Sequence, residues 1–284
     1  MKTKFLIAGA TGQLGKAFCS LLEKRGETYV GFSRRELDIT NFSQVRERLR
    51  EIQPEIVINC AAFTDVEKAE DDFLQAIFVN GVGCKNLAIV SSSVGAVFVT
   101  FSTDYVFDGR KRAPYTIADI PNPLSCYGRS KLLGESLTRD FSSKFFIVRT
   151  SWLFGESENN FVKKFFQWIK EKDVLRISED RFSTPSYTVD VAGAVLDLIH
   201  TENYGLYHIT NAGWCSRYQM SRYIATKLGW RKTILPIDEE ELEMKAERPF
   251  FSVLDNFPLK ETIGYTLRSW EEALEAYLES LKQD

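Results

Sequence analysis

The stretch Phe5-Leu6-Ile7-Ala8-Gly9-Ala10-Thr11-Gly12-Gln13-Leu14-Gly15 decides how the rest of the chain is read. A short apolar run ends in a glycine turn, and Leu14, Ala17, Phe18, Leu21 and Leu22 follow at helical spacing. The order is strand, turn, helix. Glycines permit a tight turn and a close backbone approach, and the free N–H groups at the helix start suit a pyrophosphate. A glycine turn with no ligand is the alternative that this stretch alone leaves open.

Working outward, residues 28–32 read as a second strand that ends in Ser33-Arg34-Arg35. In folds that prefer NAD, an acidic residue at this strand end bonds the adenosine ribose. Here the first acid is Glu36, after two arginines, and a guanidinium pair suits a 2′-phosphate. This predicts NADPH as cofactor, with NADH left open; solvated loop arginines are the alternative. Asp38-Ile39-Thr40-Asn41 reads as a helix entry capped by Thr40 or Asn41. Residues 56–59 form a third strand, followed by Cys60-Ala61-Ala62-Phe63-Thr64, whose small residues let a cofactor lie close. Residues 68–91 read as helix, and 96–101 as a fourth strand leading into Ser102-Thr103-Asp104. A further strand at 145–150 ends in Ser151-Trp152.

Strands alternating with helices imply right-handed βαβ units. The fold class is therefore α/β, a Rossmann-type doubly wound parallel sheet covered on both faces, with a smaller C-terminal α/β substrate lobe. Ligands bind beyond the carboxyl ends of such strands, which puts the Gly9 turn, the Ala62 turn and Ser102-Thr103-Asp104 on one edge. Helix capping is the alternative role for Thr103. After residue 150 the alternation loosens: helices are expected at 161–170, 191–199, 218–228 and 270–281, a loop at 182–185 and a short strand at 205–209. Residues 1–150 read as the dinucleotide-binding domain. Residues 151–284 read as mainly the substrate lobe, with some segments returning to the first domain.

Tyr127-Gly128-Arg129-Ser130-Lys131 follows a loop at 114–123 rich in turn residues. Tyrosine and lysine four apart share a helix face. A nearby cation favours the phenolate, which makes the tyrosine a better proton-transfer group. The spacing is common, and a surface tyrosine beside a solvated lysine also accounts for it.

Composition narrows the field further. A hydrophobic content of 44% and a charged content of 26% are those of an ordinary globular protein. The net charge of −3 gives no footprint for nucleic acid or an anionic membrane. Five scattered cysteines without C-x-x-C spacing read as reduced thiols, and two histidines leave little for a metal site. The N-terminal apolar run is too short for a signal peptide, and the best apolar candidate for a span, residues 87–101, contains three serines. A cytoplasmic protein is expected, and a homodimer is left open.

Together these residues resemble the extended short-chain dehydrogenase/reductases, and within them the dTDP-4-dehydrorhamnose reductase family. The marks are GATGQLG at 9–15, LDITN at 37–41, INCAAFTDVEKAE at 58–70, FSTDYVFDG at 101–109, YGRSK at 127–131 and VRTSWLFG at 148–155. NNFVK at 159–163, GLYHITNAG at 205–213 and ERP at 247–249 complete them. The resemblance implies reduction at C4 of a nucleotide-linked 4-keto-6-deoxy sugar by a reduced nicotinamide. By resemblance, Tyr127 protonates the developing alkoxide, Lys131 holds the nicotinamide ribose and favours deprotonated Tyr127, and Thr103 bonds the reacting oxygen. Gly9, Thr11, Gly12, Gln13 and Leu14 would surround the pyrophosphate, Ser33 and Arg34 the 2′-phosphate, and Asp38 and Ile39 the adenine side. Ala61, Ala62, Phe63 and Thr64 would line the middle of the cofactor. Thr103, Asp104 and Trp152 would contact the sugar nucleotide, and Arg248 its diphosphate.

Two departures stand out. ISEDRFSTP at 177–185 differs from the family pattern at Arg181 and Ser183, which can mark a different sugar pocket, and Phe101 replaces a common tyrosine. The alternatives are a 4-ketoreductase of another sugar nucleotide, such as a UDP-linked 4-keto-6-deoxy-N-acetylhexosamine, and a non-catalytic protein like the methionine adenosyltransferase regulatory subunit.

Overall fold

The computed structural model describes residues 4–157 and 160–282. Met1, Lys2 and Thr3 of the signal-like N-terminus, and Asn159, where the NNFVK match begins, lie outside the described residues. The first half runs β1 (Phe5–Ala8), α1 (Gln13–Lys24), β2 (Tyr29–Phe32), α2 (Phe42–Ile52), β3 (Ile56–Asn59), α3 (Val66–Asp71) and α4 (Phe73–Ile77). A π-helical segment (Phe78–Gly83) joins α4 to α5 (Cys84–Ser93). Then come β4 (Val97–Thr103) with a 3₁₀ turn (Asp104–Val106), α6 (Cys126–Phe141) and β5 (Phe145–Thr150). The second half runs β6 (Leu153–Phe154), α7 (Phe161–Glu171), β7 (Val174–Ser178), β8 (Phe182–Ser183), β9 (Ser186–Tyr187), α8 (Thr188–Ile199) and β10 (Gly205–His208). It ends with β11 (Cys215–Ser216), α9 (Arg217–Leu228), β12 (Thr233–Ile237), α10 (Leu259–Ile263) and α11 (Trp270–Ser280).

Six strands form one parallel sheet in the order β10-β5-β4-β3-β1-β2. The chain moves from β1 to β2, then crosses back over β1 to β3, so the winding reverses between β1 and β3. In a doubly wound sheet that crevice is where ligands enter. Register sets the carboxyl ends: Ala8 lies beside Phe32 and Asn59, and Asn59 beside Thr100, past which β4 and β5 run on to end together at Thr103 and Thr150. Alternation sends Phe5 and Ile7 to one face, against Phe18, Val191 and Val195, and Leu6 to the other, against Val45, Leu49 and Leu87. Each fully buried side chain of this kind contributes about 1.5–3 kcal/mol.

A second apolar cluster, including Phe165, Met220, Trp270 and Tyr277, joins α7, α9 and α11 beside the parallel pair β7–β12. α8 and β10 belong to the main sheet instead: α8 packs on α1, and β10 is the sixth strand. Residues 182–185, expected as a loop, supply β8, which pairs antiparallel with β11, and lead into β9, which pairs with β6. β7 and β12 escape a reading of apolar alternation because they are short and partly exposed, with Pro236 inside β12. Residues 87–101 divide between the end of α5 and β4. Among the described residues one helix, Phe73–Ser93, is long and apolar enough to cross a membrane. Here it is a core helix, with Leu87, Ala88 and Val90 packed on the sheet and Asn80 and Asn86 hydrogen-bonded internally.

Candidate active site

Gly9 has φ +77°, and a Cβ there would stand 2.6 Å from the Ala61 nitrogen. The missing side chain is what lets the β1 turn lie against the β3 turn. Gly12 caps α1 without a side-chain bond, so the first N–H groups of the helix keep open donors toward the crevice. Thr11 is exposed beside them, and the Gln13 Oε1 accepts from Asn160 Nδ2 at 3.0 Å, tying the turn to the second half. Leu14 packs its side chain into the core and can serve a ligand only through its backbone. The close glycine turn, the uncapped helix start and the small Ala61-Ala62 pair fit a dinucleotide.

At the end of β2, the Ser33 N and Oγ both donate to Glu36, at 2.9 and 2.7 Å. These bonds hold the Glu36 carboxyl below its usual range. Arg34 and Arg35 are exposed and form no ion pair among the described residues. Asp38 Oδ1 accepts from the Thr40 N and Oγ1 at 3.0 and 2.8 Å, and Ile39 is buried against Gly83. Both residues expected on the adenine side direct their side chains to the protein, and their backbone is engaged too: Asp38 N donates to Gln44 Oε1 at 2.7 Å and the Ile39 carbonyl accepts from Asn86 Nδ2 at 2.9 Å. The helix cap of α2 is Asn41, whose side chain accepts from Gln44 N.

The loop after β3 is held by a residue that the sequence reading passed over. Phe63 N donates to Asn80 Oδ1 at 2.9 Å, and Asn80 Nδ2 donates to the Phe63 carbonyl at 3.0 Å and Ser130 Oγ at 2.9 Å. Asn80 is buried in the π-helical segment, a departure from α-geometry that often marks functional positions. A Cβ on Gly134 would stand 2.3 Å from the Asn80 carbonyl oxygen, so α6 approaches here at backbone distance. The amide thus links Phe63 to the turn that carries Lys131, while Thr64 stays exposed. A lone asparagine in the apolar run IFVNGVG was the available signal.

Thr103 closes β4, where its Oγ1 donates to Asp104 Oδ1 at 3.0 Å and accepts from Tyr105 N at 3.2 Å. Tyr127 is half-buried in the first turn of α6, with the Tyr105 ring edge-on at 6.0 Å. Burial pushes the Tyr127 phenol well above its ordinary value; a hydrogen bond from Thr103 opposes this, and the charges of Asp104 and Tyr105 reinforce it. At Tyr127 desolvation therefore outweighs the hydrogen bond that favours the phenolate, and Lys131 stands one helical turn further along α6. Lys131 is itself buried, and desolvation lowers its pKa against the pull of Cys84, Glu135 and Cys60. It lines a crevice with Asn59, Ala61, Asn80, Ser102 and Glu135, where Ser102 Oγ finds no partner among the described residues. Beneath it, Arg149 forks onto Glu135 at 2.8 and 2.7 Å, with both side chains 1% exposed. His208 shares this buried layer, and burial beside Arg149 depresses it to about 3, so it stays neutral.

Asp104 Oδ2 accepts from Ser183 Oγ at 2.9 Å and Ser252 Oγ at 2.5 Å. Burial raises its carboxyl to about 6 against the hydrogen bonds of Ser252, Ser183 and Thr103. Asp104, expected as a substrate contact, ties the end of β4 to two segments of the second half. Ser183, the departure from the family pattern, is one of its donors. Arg181, the other departure, pairs with Asp180 and with Glu239 at 3.0 Å and lies 4.5 Å from the centre of the Phe250 ring. Arg248 is likewise engaged by protein: its Nη2 donates to Glu67 Oε1 at 2.7 Å and its Nη1 to the Ala246 carbonyl at 3.1 Å. That guanidinium bridges α3 and the C-terminal segment, the use that an ion pair between lobes gives it. Trp152 has φ +42°, a strained value for a bulky residue, and its indole faces the Arg217 guanidinium at 3.7 Å. Phe101, by contrast, is plain core, packed on Phe18.

A doubly wound sheet with a glycine cradle at its switch point, and a tyrosine and lysine one helical turn apart beside Thr103, defines the class of extended short-chain dehydrogenase/reductases. The profile of the RmlD substrate binding domain matches residues 3–283. The spore coat polysaccharide biosynthesis protein SpsK of Bacillus subtilis is 38% identical over 98% of this chain and 97% of its own length. The dTDP-4-dehydrorhamnose reductase of Aggregatibacter actinomycetemcomitans is 36% identical, covering 95% of this chain and 97% of its own. Among solved structures, dTDP-4-dehydrorhamnose reductase from Bacillus anthracis in complex with NADP superposes with a TM-score of 0.96 at 38% identity, over 99% of this chain and 100% of that one. The chain belongs to the dTDP-4-dehydrorhamnose reductase family.

Proposed function

We propose that this protein uses NADPH to reduce the C4 ketone of a nucleotide-linked 4-keto-6-deoxy sugar, dTDP-4-dehydro-L-rhamnose to dTDP-L-rhamnose being the favoured pair. The observation that carries the reading is the meeting of Thr103, Tyr127 and Lys131 beside the glycine cradle. The full-length relatives named for this reduction, and the NADP complex among them, support it. When bound, a reduced nicotinamide supplies the hydride. Tyr127 donates the proton to the oxygen that develops negative charge, and its buried phenol holds that proton until it is needed. Thr103, in hydrogen-bond contact with the Tyr127 hydroxyl, orients it toward the reacting oxygen. Lys131, buried and without a hydrogen bond among the described residues, is suited to the nicotinamide ribose hydroxyls.

In the same proposal, the backbone of Gly9 to Leu14 takes the pyrophosphate, Ser33 and Arg34 the 2′-phosphate, Asp38 and Ile39 the adenine, and Ala61 to Thr64 the middle of the cofactor. The sheet domain binds the cofactor and the second half the sugar nucleotide, in the cytoplasm. Ser183 and Arg181 pointed in the sequence to another sugar pocket. Both direct their polar groups to protein partners, and the relatives named for the dTDP-linked reduction favour that substrate over the UDP-linked alternative. Incubation with a panel of 4-keto sugar nucleotides, following loss of NADPH absorbance, tests this. Turnover of dTDP-4-dehydro-L-rhamnose with one NADPH per product is expected, and no oxidation with any 4-keto sugar overturns the reading.

A further inference from the structure

We propose that Arg217, held between Trp152 and Phe161, binds the diphosphate of the sugar nucleotide. The inference rests on the substrate class proposed above and replaces Arg248, whose guanidinium is engaged by Glu67.

The first observation is a missing partner. Among the described residues, the arginines that are not exposed are Arg48, Arg149, Arg181, Arg217 and Arg248. Four of them hold a carboxylate: Arg48 with Glu51, Arg149 with Glu135, Arg181 with Glu239 and Arg248 with Glu67. Arg217 does not. Its contacts are the ring of Trp152 at 3.7 Å, the ring of Phe161 at 4.4 Å and the Met220 sulfur at 3.9 Å. Burial lowers its pKa to about 10, so it is still a cation at neutral pH. The carboxylates that act on it from nearby are occupied: Asp104 by three hydroxyls, Glu239 by Arg181 and Arg248. A desolvated charge of this kind calls for an anion from outside.

The second observation is position. Trp152 lies two residues past Thr150, which is level with Thr103 in the sheet. Arg217 opens α9 directly after β11, whose partner β8 contains the Ser183 that bonds Asp104. The stacked cation is therefore on the second-lobe side of Thr103 and Tyr127. Phosphate oxygens match the planar fork of a guanidinium, and the two rings fix its plane. A strained Trp152 backbone is consistent with an indole set in place for this stack.

The test is equilibrium binding of dTDP and of thymidine to wild type, Arg217→Met and Arg217→Gln, with NADPH binding as the control for folding. Wild type is expected to prefer dTDP over thymidine, and either variant to lose about ten- to hundredfold of that preference while NADPH affinity is retained. An unchanged dTDP-to-thymidine ratio in whichever variant still binds NADPH overturns the inference. Wild type that binds dTDP through Arg217 but reduces no 4-keto sugar keeps this inference and removes the proposed reaction. Turnover with an unaltered ratio does the reverse.

Discussion

Over β1 and β3 the binding edge is built of backbone: an uncapped helix start, a glycine that a methyl group would jam against Ala61, and two small residues after β3. Over β4 and β5 it is built of side chains drawn from far apart, with Thr103 and Asp104 meeting Ser183 and Ser252, and Trp152 meeting Arg217. The backbone half needs only local geometry. The side-chain half exists only after the second lobe has packed, so its chemistry is coupled to tertiary contacts. Substitutions in the two halves should accordingly fail in different ways.

The largest effect belongs to the side-chain half. Tyr127→Phe should lower kcat by about 10²–10⁴-fold and leave NADPH binding unchanged. Near-wild-type turnover in steady-state assays would remove Tyr127 as the proton donor. Next comes the layer beneath Lys131. Glu135→Leu strands the Arg149 guanidinium and should reduce the free energy of unfolding in urea by about 3–5 kcal/mol. A loss much smaller than this would mean that the pair does not anchor α6 to β5.

Gly9→Ala tests the backbone half. Its positive φ costs about 1–2 kcal/mol in a side-chain-bearing residue, and the new Cβ would stand 2.6 Å from Ala61 N. NADPH affinity measured by titration should fall about tenfold or more, whereas Ser183→Ala should leave it alone. Equal losses in both variants would erase the distinction between the halves. The smallest effect is a shift in pH dependence. Asp104 ionises at about 6 and, once protonated, no longer offers the Thr103 hydroxyl a charged acceptor, so kcat/KM should fall as pH drops through that value. Ser183→Ala removes a donor that favours the charged form, so Asp104 titrates higher and the acid limb should move upward by less than about one pH unit. A downward move would contradict the assignment.

The same contrast explains what the sequence made legible. β3 and β5 are found at their expected bounds because each opens on a short, buried apolar run. The glycine turn is equally local, and so is the α2 cap at Asn41. β4 continues to Thr103, beyond the apolar run that announced it, because its last residues are polar and yet buried. The role of Ser183 was out of reach because its partner is 79 residues away in the chain. Arg248 meets the same limit: an arginine that suits phosphate also suits Glu67, and the ion pair it forms here depends on packing. Arg217 carried a faint mark of its own. A cation at the first position of a helix opposes the helix dipole, which invites the question of what else holds it there.

The central claim is that a hydride from the backbone-built half and a proton from Tyr127 converge on one sugar carbonyl. Its most direct test is a turnover of dTDP-4-dehydro-L-rhamnose with NADPH deuterated at the transferable C4 position, with the product read by mass spectrometry and NMR. The account predicts one deuterium at sugar C4 and one NADPH oxidised per product. Product without deuterium at C4, or formed with no net consumption of NADPH, would contradict it.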